Sequence, residues 1–432
     1  MAGDARETAL SVLTSCRKAE AWADGALKTA SRPLTRRDAA LAARLTYGVL
    51  QNRALLDFHI GRYCKQGNLD LEPVILDIMR IGAYQILFLD RVPDSAAVNQ
   101  AVEMTKAHRR PRAAGMVNAI LRKLSREKDH LPQPEELSVR YSHPKWLTEK
   151  YGELLGAEAE AALAADNQPV PTVIQRNPLK ASEEALLAAL GGAEVTPHPW
   201  LSGCYELTGA GNLEQLESFR KGEFLVQDAA AALVPKAAGC LPGQRVIDVC
   251  AAPGGKSFAA AMAMEDRGEV LSFDIHPHKI RLIEEGAARL GLTSVHAALR
   301  DGRDPDPALL GTADVVLCDV PCSGLGIIRK KPDIRYKDPA PLAGLPKVQL
   351  AILKGAAGYV KTGGVLVYST CTILPEENRQ VVDAFLREDG RFALEPFAVE
   401  GPVGETEGDV TLWPHRHQTD GFYICKLRKH HD

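Results

Sequence analysis

Two of the nine cysteines in this chain sit where a thiol could do chemistry. Cys322 lies in Asp319-Val-Pro-Cys-Ser-Gly324, directly after the apolar run Asp314 to Leu317. Cys371 lies in Ser369-Thr-Cys-Thr372, directly after Val365 to Tyr368. Cysteine is usually a small buried hydrophobe, which is the reading for Cys318, Cys16, Cys64 and Cys240. Polar, turn-forming neighbours separate Cys322 and Cys371 from these. The thiolate is the nucleophile, and a free thiol with a pKa of about 8.5 is only slightly ionised at pH 7, so local positive charge matters.

A second constellation has the form of a ligand-binding turn. The strand-like Arg245 to Asp248 runs into Cys250, Ala251, Ala252, Pro253, Gly254, Gly255, Lys256 and Ser257, and a helical pattern follows. A glycine turn there lets backbone approach a ligand at a helix N-terminus. A nucleoside triphosphate loop would need glycine at position 250, which is cysteine, and the dinucleotide spacing G-x-G-x-x-G is absent. Asp274 ends the next strand, where an acid can accept from ribose hydroxyls, and Asp301 follows the third. Any one of these acids alone is a surface acid or a helix cap. Their placement at the carboxyl ends of successive strands makes them a site. No metal is expected: the close pair Cys318 and Cys322 lacks the second pair a zinc site needs.

The elements that must position these residues divide the chain in three. Residues 1–130 carry apolar residues at helical spacing, as in Ala39, Ala42, Ala43, Leu45, Tyr47 and Leu50. Thr35 offers an N-cap, Pro73 a helix start, and Asp94 or Ser95 another cap, with a further helix over Ala113 to Arg126. This predicts an all-α bundle. Leu131-Pro-Gln-Pro134 breaks helix. Residues 135–230 are expected to form a small α/β linker domain: a helix over Pro144 to Ala165, a strand over Thr172 to Gln175 and a helix over Ser182 to Leu190. Residues 233–430 alternate apolar strands with helices, the pattern of a Rossmann-like α/β domain with a mostly parallel sheet. Its expected strands are 245–250, 269–274, 294–298, 314–320 and 364–370, with an added edge strand over Phe422 to Leu427.

Four runs together carry a family resemblance: Asp248-Val-Cys-Ala-Ala-Pro-Gly-Gly-Lys-Ser257, Asp319-Val-Pro-Cys-Ser-Gly324, Lys331-Pro-Asp-Ile-Arg335 and Tyr368-Ser-Thr-Cys-Thr-Ile-Leu-Pro-Glu-Glu-Asn378. The chain resembles the Sun/Fmu (RsmB-like) small-subunit ribosomal RNA cytosine-5 methyltransferases, within the wider Nol1/Nop2/Sun group. Its first domain resembles NusB, which binds RNA. The resemblance implies an S-adenosylmethionine-dependent enzyme. Cys371 would be the nucleophile that adds to cytosine carbon 6, Cys322 would assist release, and Asp319 would hold the cytosine edge beside the cofactor. The cofactor would lie on residues 250–256 with Asp274, Asp301 and Asp319. Val320, Tyr336 and the loose Gln175-Arg-Asn-Pro-Leu-Lys180 depart from the family pattern without touching this chemistry. An enzyme acting on transfer RNA and a non-catalytic assembly factor are the competing readings. The NusB-like domain weighs against the first, and the intact cysteines and cofactor loop against the second.

The charge split suggests a nucleic-acid footprint on the first domain, the alternative being a solvated helical surface with no partner. Residues 1–130 hold 21 Lys and Arg against 14 Asp and Glu, about +7, while the remainder is about −10 within a net charge of −3. Arg329, Lys330, Lys331 and Arg335 follow the Cys322 loop and are expected to contact phosphate beside a flipped base, the alternative being a solvated loop. Residues 1–13 have no apolar core of a secretion signal, and no apolar run of membrane length occurs. A cytoplasmic protein is expected, with no obligate protein partner and ribosomal RNA as substrate.

Overall fold

Helix-end chemistry sets the amino-terminal elements. In the computed structural model, which describes residues 4–19, 21–67, 69–209 and 211–431, Thr35 caps the helix Arg36–Gln51, its Oγ1 accepting from the Asp38 amide at 3.2 Å. Pro73 opens Pro73–Phe88, where a missing N–H is harmless. Asp94 is the first residue of Asp94–Ala107 rather than its cap, and its carboxylate takes Ser125 and Lys128 instead. Ile75, Ile78 and Met79 pack with Leu45, Leu56, Val117 and Leu121 into one apolar core. Gly48 is required there, because a Cβ would fall 2.0 Å from the Tyr84 ring.

The chain forms two units, residues 1–168 with 328–338, and residues 169–327 with 339–432. The helices Lys145–Leu155 and Ala159–Ala165, separated by Gly156 at φ +55°, group with the first unit. The reason is the returning segment 328–338, which they help to enclose. Arg335, expected at the RNA, is fully buried instead. Its guanidinium donates to the carbonyls of Gln51, Tyr141, Ser142 and Asp166 at 3.1–3.3 Å and to Asn167 Oδ1 at 2.7 Å. Tyr336 OH donates to Leu50 O at 2.8 Å, and Asp333 accepts from the Ala23 amide at 3.0 Å. Lys331 is half-buried and paired with Asp24 at 3.2 Å, and Arg329 and Lys330 are half-buried as well.

The second unit contains a small antiparallel sheet of β1 Thr172–Arg176, β2 Glu194–Pro197, β3 Cys204–Thr208 and β4 Phe224–Val226, in the order β2-β3-β1-β4. The helix Glu183–Ala189, capped by Ser182, packs Leu186 against Ile174, Tyr205 and Phe224. Asn177, just after β1, donates to Gly222 O and Leu290 O at 2.9 and 3.0 Å, tying this sheet to the helix Pro277–Leu290.

The larger sheet comprises β5 Arg245–Asp248, β6 Glu269–Asp274, β7 Val295–Leu299, β8 Ala313–Asp319, β9 Val360–Thr370 and β10 Phe392–Leu394. After the ribbon β11 Phe397–Val399 and β12 Gly404–Thr406 come β13 Asp409–Leu412 and β14 Phe422–Lys429. The order is β10-β14-β9-β8-β5-β6-β7, parallel from β7 to β9, with β14 antiparallel to β9. β14 was expected at the edge, yet β13 and β10 pair along its far side. Three- and four-residue partners leave too short a pattern to read from sequence. Strand order reverses between β5 and β8, so a crevice opens at their carboxyl ends.

Candidate active site

Behind that crevice the turn after β5 is fixed by its own backbone. The Ala251 amide donates to Phe273 O and the Gly254 amide to Ala251 O, both at 2.7 Å, and the helix Gly255–Ala263 begins at once. Gly254 has φ +109°, and a Cβ there would fall 2.2 Å from the Phe258 ring, so only glycine closes the turn. Beneath it Asp248 is buried. Its Oδ2 accepts from Ser257 Oγ at 2.8 Å, and Ser272 Oγ donates to that hydroxyl at 2.8 Å.

Burial pushes the Asp248 carboxyl up to about 7, against the opposing effect of the Ser257 hydrogen bond. The folded-state value lies above the unfolded one, so the native chain holds this proton more tightly. Its contribution to stability is complete below about pH 4 and is lost as pH rises through 7. Asp248→Asn should remove that slope: its stability relative to wild type should climb between pH 4 and 7 by an amount on the order of 4 kcal/mol. Denaturant unfolding across that range measures the difference, and a pH-independent difference would clear Asp248 of the effect.

A cavity of about 430 Å³ lies over the carboxyl ends of the strands. Of the residues singled out in the sequence, Cys250, Ala252, Asp274, Asp301, Asp319, Cys322 and Cys371 line it. Asp274 is nearly buried; its Oδ1 accepts from the His276 amide at 3.0 Å, and Lys279 lies 3.7 Å from its Oδ2. Asp301 is on the wall, but Arg303 forks both its oxygens at 2.5–3.0 Å and, with that hydrogen bond as the main cause, holds its carboxyl below the usual range. Ala251, Pro253, Gly254 and Gly255 shape the turn without lining the cavity. Lys256 also points elsewhere. Its Nζ donates to Asp319 Oδ2 at 2.6 Å, and although burial opposes its charge, Asp319 chiefly and Asp248 and Cys371 further hold its pKa above the lysine value. Lys256 therefore belongs to the cysteine side of the site.

Sequence reasoning missed Ile275, Val348 and Lys279, which also line the cavity. A signal existed for Ile275: an apolar residue directly after a strand-ending acid, left 49% exposed in the fold.

The cysteine side is held by hydrogen bonds between the loops after β8 and β9. Ser369 Oγ donates to Asp319 Oδ1 at 2.7 Å, and the Val320 amide to Ser369 O at 3.1 Å. Ser323 Oγ meets Thr372 Oγ1 at 2.7 Å, and the Gly326 amide donates to Cys371 O at 2.9 Å. The outcome is a Cys322 Sγ to Cys371 Sγ distance of 3.1 Å. Cys322 is pushed well up, first by its hydrogen bond with Cys371, then by burial, the charge of Cys371 and that of Glu377. Among the expected structural cysteines, Cys318 and Cys240 are buried, and Cys16 and Cys64 are half-buried.

An open sheet of this order, with a glycine turn after its first strand and acids at the following strand ends, defines a Rossmann-like methyltransferase domain. Residues 237–428 match the family described as 16S rRNA methyltransferase RsmB/F, residues 3–126 the NusB family, and residues 143–214 the ferredoxin-like domain of RsmF/B-like methyltransferases. The chain is 35% identical to the probable ribosomal RNA small subunit methyltransferase B of Bacillus subtilis, covering 98% of both chains. It is 31% identical to the ribosomal RNA small subunit methyltransferase B of Erwinia tasmaniensis, covering 93% of both. Among solved structures, that of PH0851 superposes with a TM-score of 0.79 at 26% identity, over 98% of this chain and 99% of the other. NSun6 from Pyrococcus horikoshii with SFG gives 0.60 at 25% identity, over 67% and 99%. The chain belongs to the small-subunit ribosomal RNA methyltransferase B family.

The methyl donor is S-adenosylmethionine, and the cavity fits it. Its wall offers an acid, Asp274, of the kind that accepts from hydroxyls, apolar surface at Ile275 and Val348, and Cys250 and Ala252 of the turn that precedes the helix Gly255–Ala263.

Proposed function

We propose that this protein methylates carbon 5 of a cytosine in small-subunit ribosomal RNA through a covalent adduct between Cys371 and carbon 6. The observation that carries this reading is the pair of thiols 3.1 Å apart on the wall of the cavity that Asp274 also lines. Carbon 5 of cytosine is a weak nucleophile. Addition of the Cys371 sulfur to carbon 6 turns the ring into an enamine, whose carbon 5 then carries the electron pair that the reaction needs. S-adenosylmethionine supplies the electrophilic methyl group. Asp319, held by Ser369 and Lys256, faces the same cavity and accepts from the cytosine edge, while Lys256 places positive charge within reach of Cys371. After transfer the carbon 5 proton leaves, the ring double bond re-forms, and the carbon–sulfur bond to Cys371 breaks. Cys322, in contact with Cys371, assists that step.

Asp274, with Asp301 beside it, is assigned to the cofactor, and the basic helical domain to RNA affinity through phosphate contacts. Arg329, Lys330 and Lys331 remain assigned to RNA; Arg335 does not, since it is enclosed. The described residues include no helix long and apolar enough to cross a membrane. The proposed place of action is the cytoplasm.

Bisulfite sequencing of ribosomal and transfer RNA from cells with and without the gene tests the substrate and the position together. A 5-methylcytosine in small-subunit ribosomal RNA should depend on the gene. A gene-dependent mark confined to transfer RNA would overturn the substrate, and a gene-dependent ribosomal methyl group on a cytosine that bisulfite still converts would overturn carbon 5.

A further inference from the structure

When two thiols lie in contact, negative charge on one opposes charge on the other, so the surrounding groups decide which of them becomes the thiolate. The loop carrying Cys322 is gripped on both sides by buried side chains that the reaction itself does not use. Gln349, on the helix Leu345–Tyr359, donates from Nε2 to Pro321 O at 3.0 Å and to Glu377 Oε2 at 2.8 Å. The same Glu377 oxygen accepts from the Ser323 amide at 2.9 Å. The carbonyl before Cys322 and the amide after it are thereby tied to one amide–carboxylate pair.

Glu377 is itself rigidly held. It is 1% exposed, and Tyr368 OH donates to its carbonyl at 2.6 Å. Asn378, the next residue, accepts from Thr370 Oγ1 at 2.5 Å and donates to Thr372 O at 3.0 Å, on either side of Cys371. One turn after β9 therefore fixes both cysteine loops. The second Glu377 oxygen, Oε1, is buried without a hydrogen-bond partner. A neutral amide could make the same two contacts without burying an unmet charge. What the carboxylate adds is negative potential at Cys322, which opposes a second negative charge there. Lys256 acts on Cys371, and Asp319, Asp274, Lys279, Arg300, Asp301 and Arg303 are the charged groups that line the same cavity as the pair among the described residues.

We propose that Glu377 is a positioning residue that keeps Cys322 as the thiol of the pair and leaves Cys371 to attack. This rests on the roles given above to the two cysteines, but its test does not need RNA.

Full-length protein is treated briefly with iodoacetamide between pH 6 and 9, and the peptides containing Cys322 and Cys371 are quantified by mass spectrometry. In wild type, Cys371 should label ahead of Cys322 throughout. Glu377→Gln, which keeps an acceptor for the Ser323 amide, should raise the share of label at Cys322 about tenfold at pH 7.5, the effect of one unit in a titration midpoint. Gln349→Met loosens the grip but keeps the charge and should leave the ratio near wild type. Glu377→Asp should restore much of the preference. Labelling of Cys322 first in wild type would overturn the proposal whether or not the variants fold. So would an unchanged ratio in folded Glu377→Gln. Methylation by Cys371→Ala would instead sink the assigned cysteine roles while leaving the labelling result to stand by itself.

Discussion

Cys371→Ala should abolish methyl transfer, by at least roughly 10,000-fold, and form no covalent species with RNA. The expectation follows from the order of events: without the sulfur no bond to carbon 6 forms, so carbon 5 never gains the electron density to react. RNA and cofactor binding should survive, because Cys371 is one wall residue among many and Asp274 and the basic helices are untouched. Cys322→Ala should behave in the opposite way. Addition and methyl transfer proceed, release becomes slow, and protein joined to RNA accumulates and persists through denaturing electrophoresis. An adduct in Cys371→Ala with none in Cys322→Ala would exchange the two roles. Should neither variant trap RNA, an oligonucleotide with 5-fluorocytosine, which lacks the proton that must leave, is expected to trap wild type, and the cross-linked peptide should contain Cys371.

The second large effect concerns a residue outside the active site. Arg335→Ala should unfold the first unit at temperatures where the second remains intact. The substitution removes a fully buried donor: Tyr141 O keeps His143 and Asn167 Nδ2 and Ser142 O keeps Tyr336 OH, but Gln51 O, Asp166 O and Asn167 Oδ1 lose the guanidinium. Each buried acceptor left unmet costs about 1–3 kcal/mol, and several together approach the roughly 5–15 kcal/mol that holds a domain folded. Arg335→Lys should rescue little, since one ammonium cannot serve acceptors spread around a planar fork. Hydrogen exchange resolved by peptide makes the measurement, with loss of protection expected across the helices of residues 36–124 and not across β5 to β9. Full protection with weakened RNA binding would return Arg335 to the RNA, as its place in a basic run had implied.

That reversal shows where the sequence stopped being informative. The glycine turn, the strand-ending acids and the two cysteines with their polar neighbours were legible because each lies within a few residues of a strong local signal. Periodicity and capping chemistry act over one or two turns of chain, so Thr35, Pro73 and Ser182 marked their helices, and β5 to β9 were placed with ends shifted by one or a few residues. What only the tertiary structure decided involves residues far apart in sequence. Arg335 reads as one more cation after Lys330 and Lys331, and its burial depends on carbonyls contributed from positions 51 to 166. β14 reads as an edge strand until β10 and β13 pair with it. Lys256 reads as part of the cofactor turn, yet the side chain turns to Asp319, 63 residues on. Gln349 carries no local signal, and Glu377, although inside the run 368–378, carries none for its role, because their contacts converge on Cys322 from another loop and another helix. Local sequence sets which conformations and which chemical groups are available. Which groups meet is settled by packing and by the need of every buried polar atom for a partner, and both depend on the whole chain.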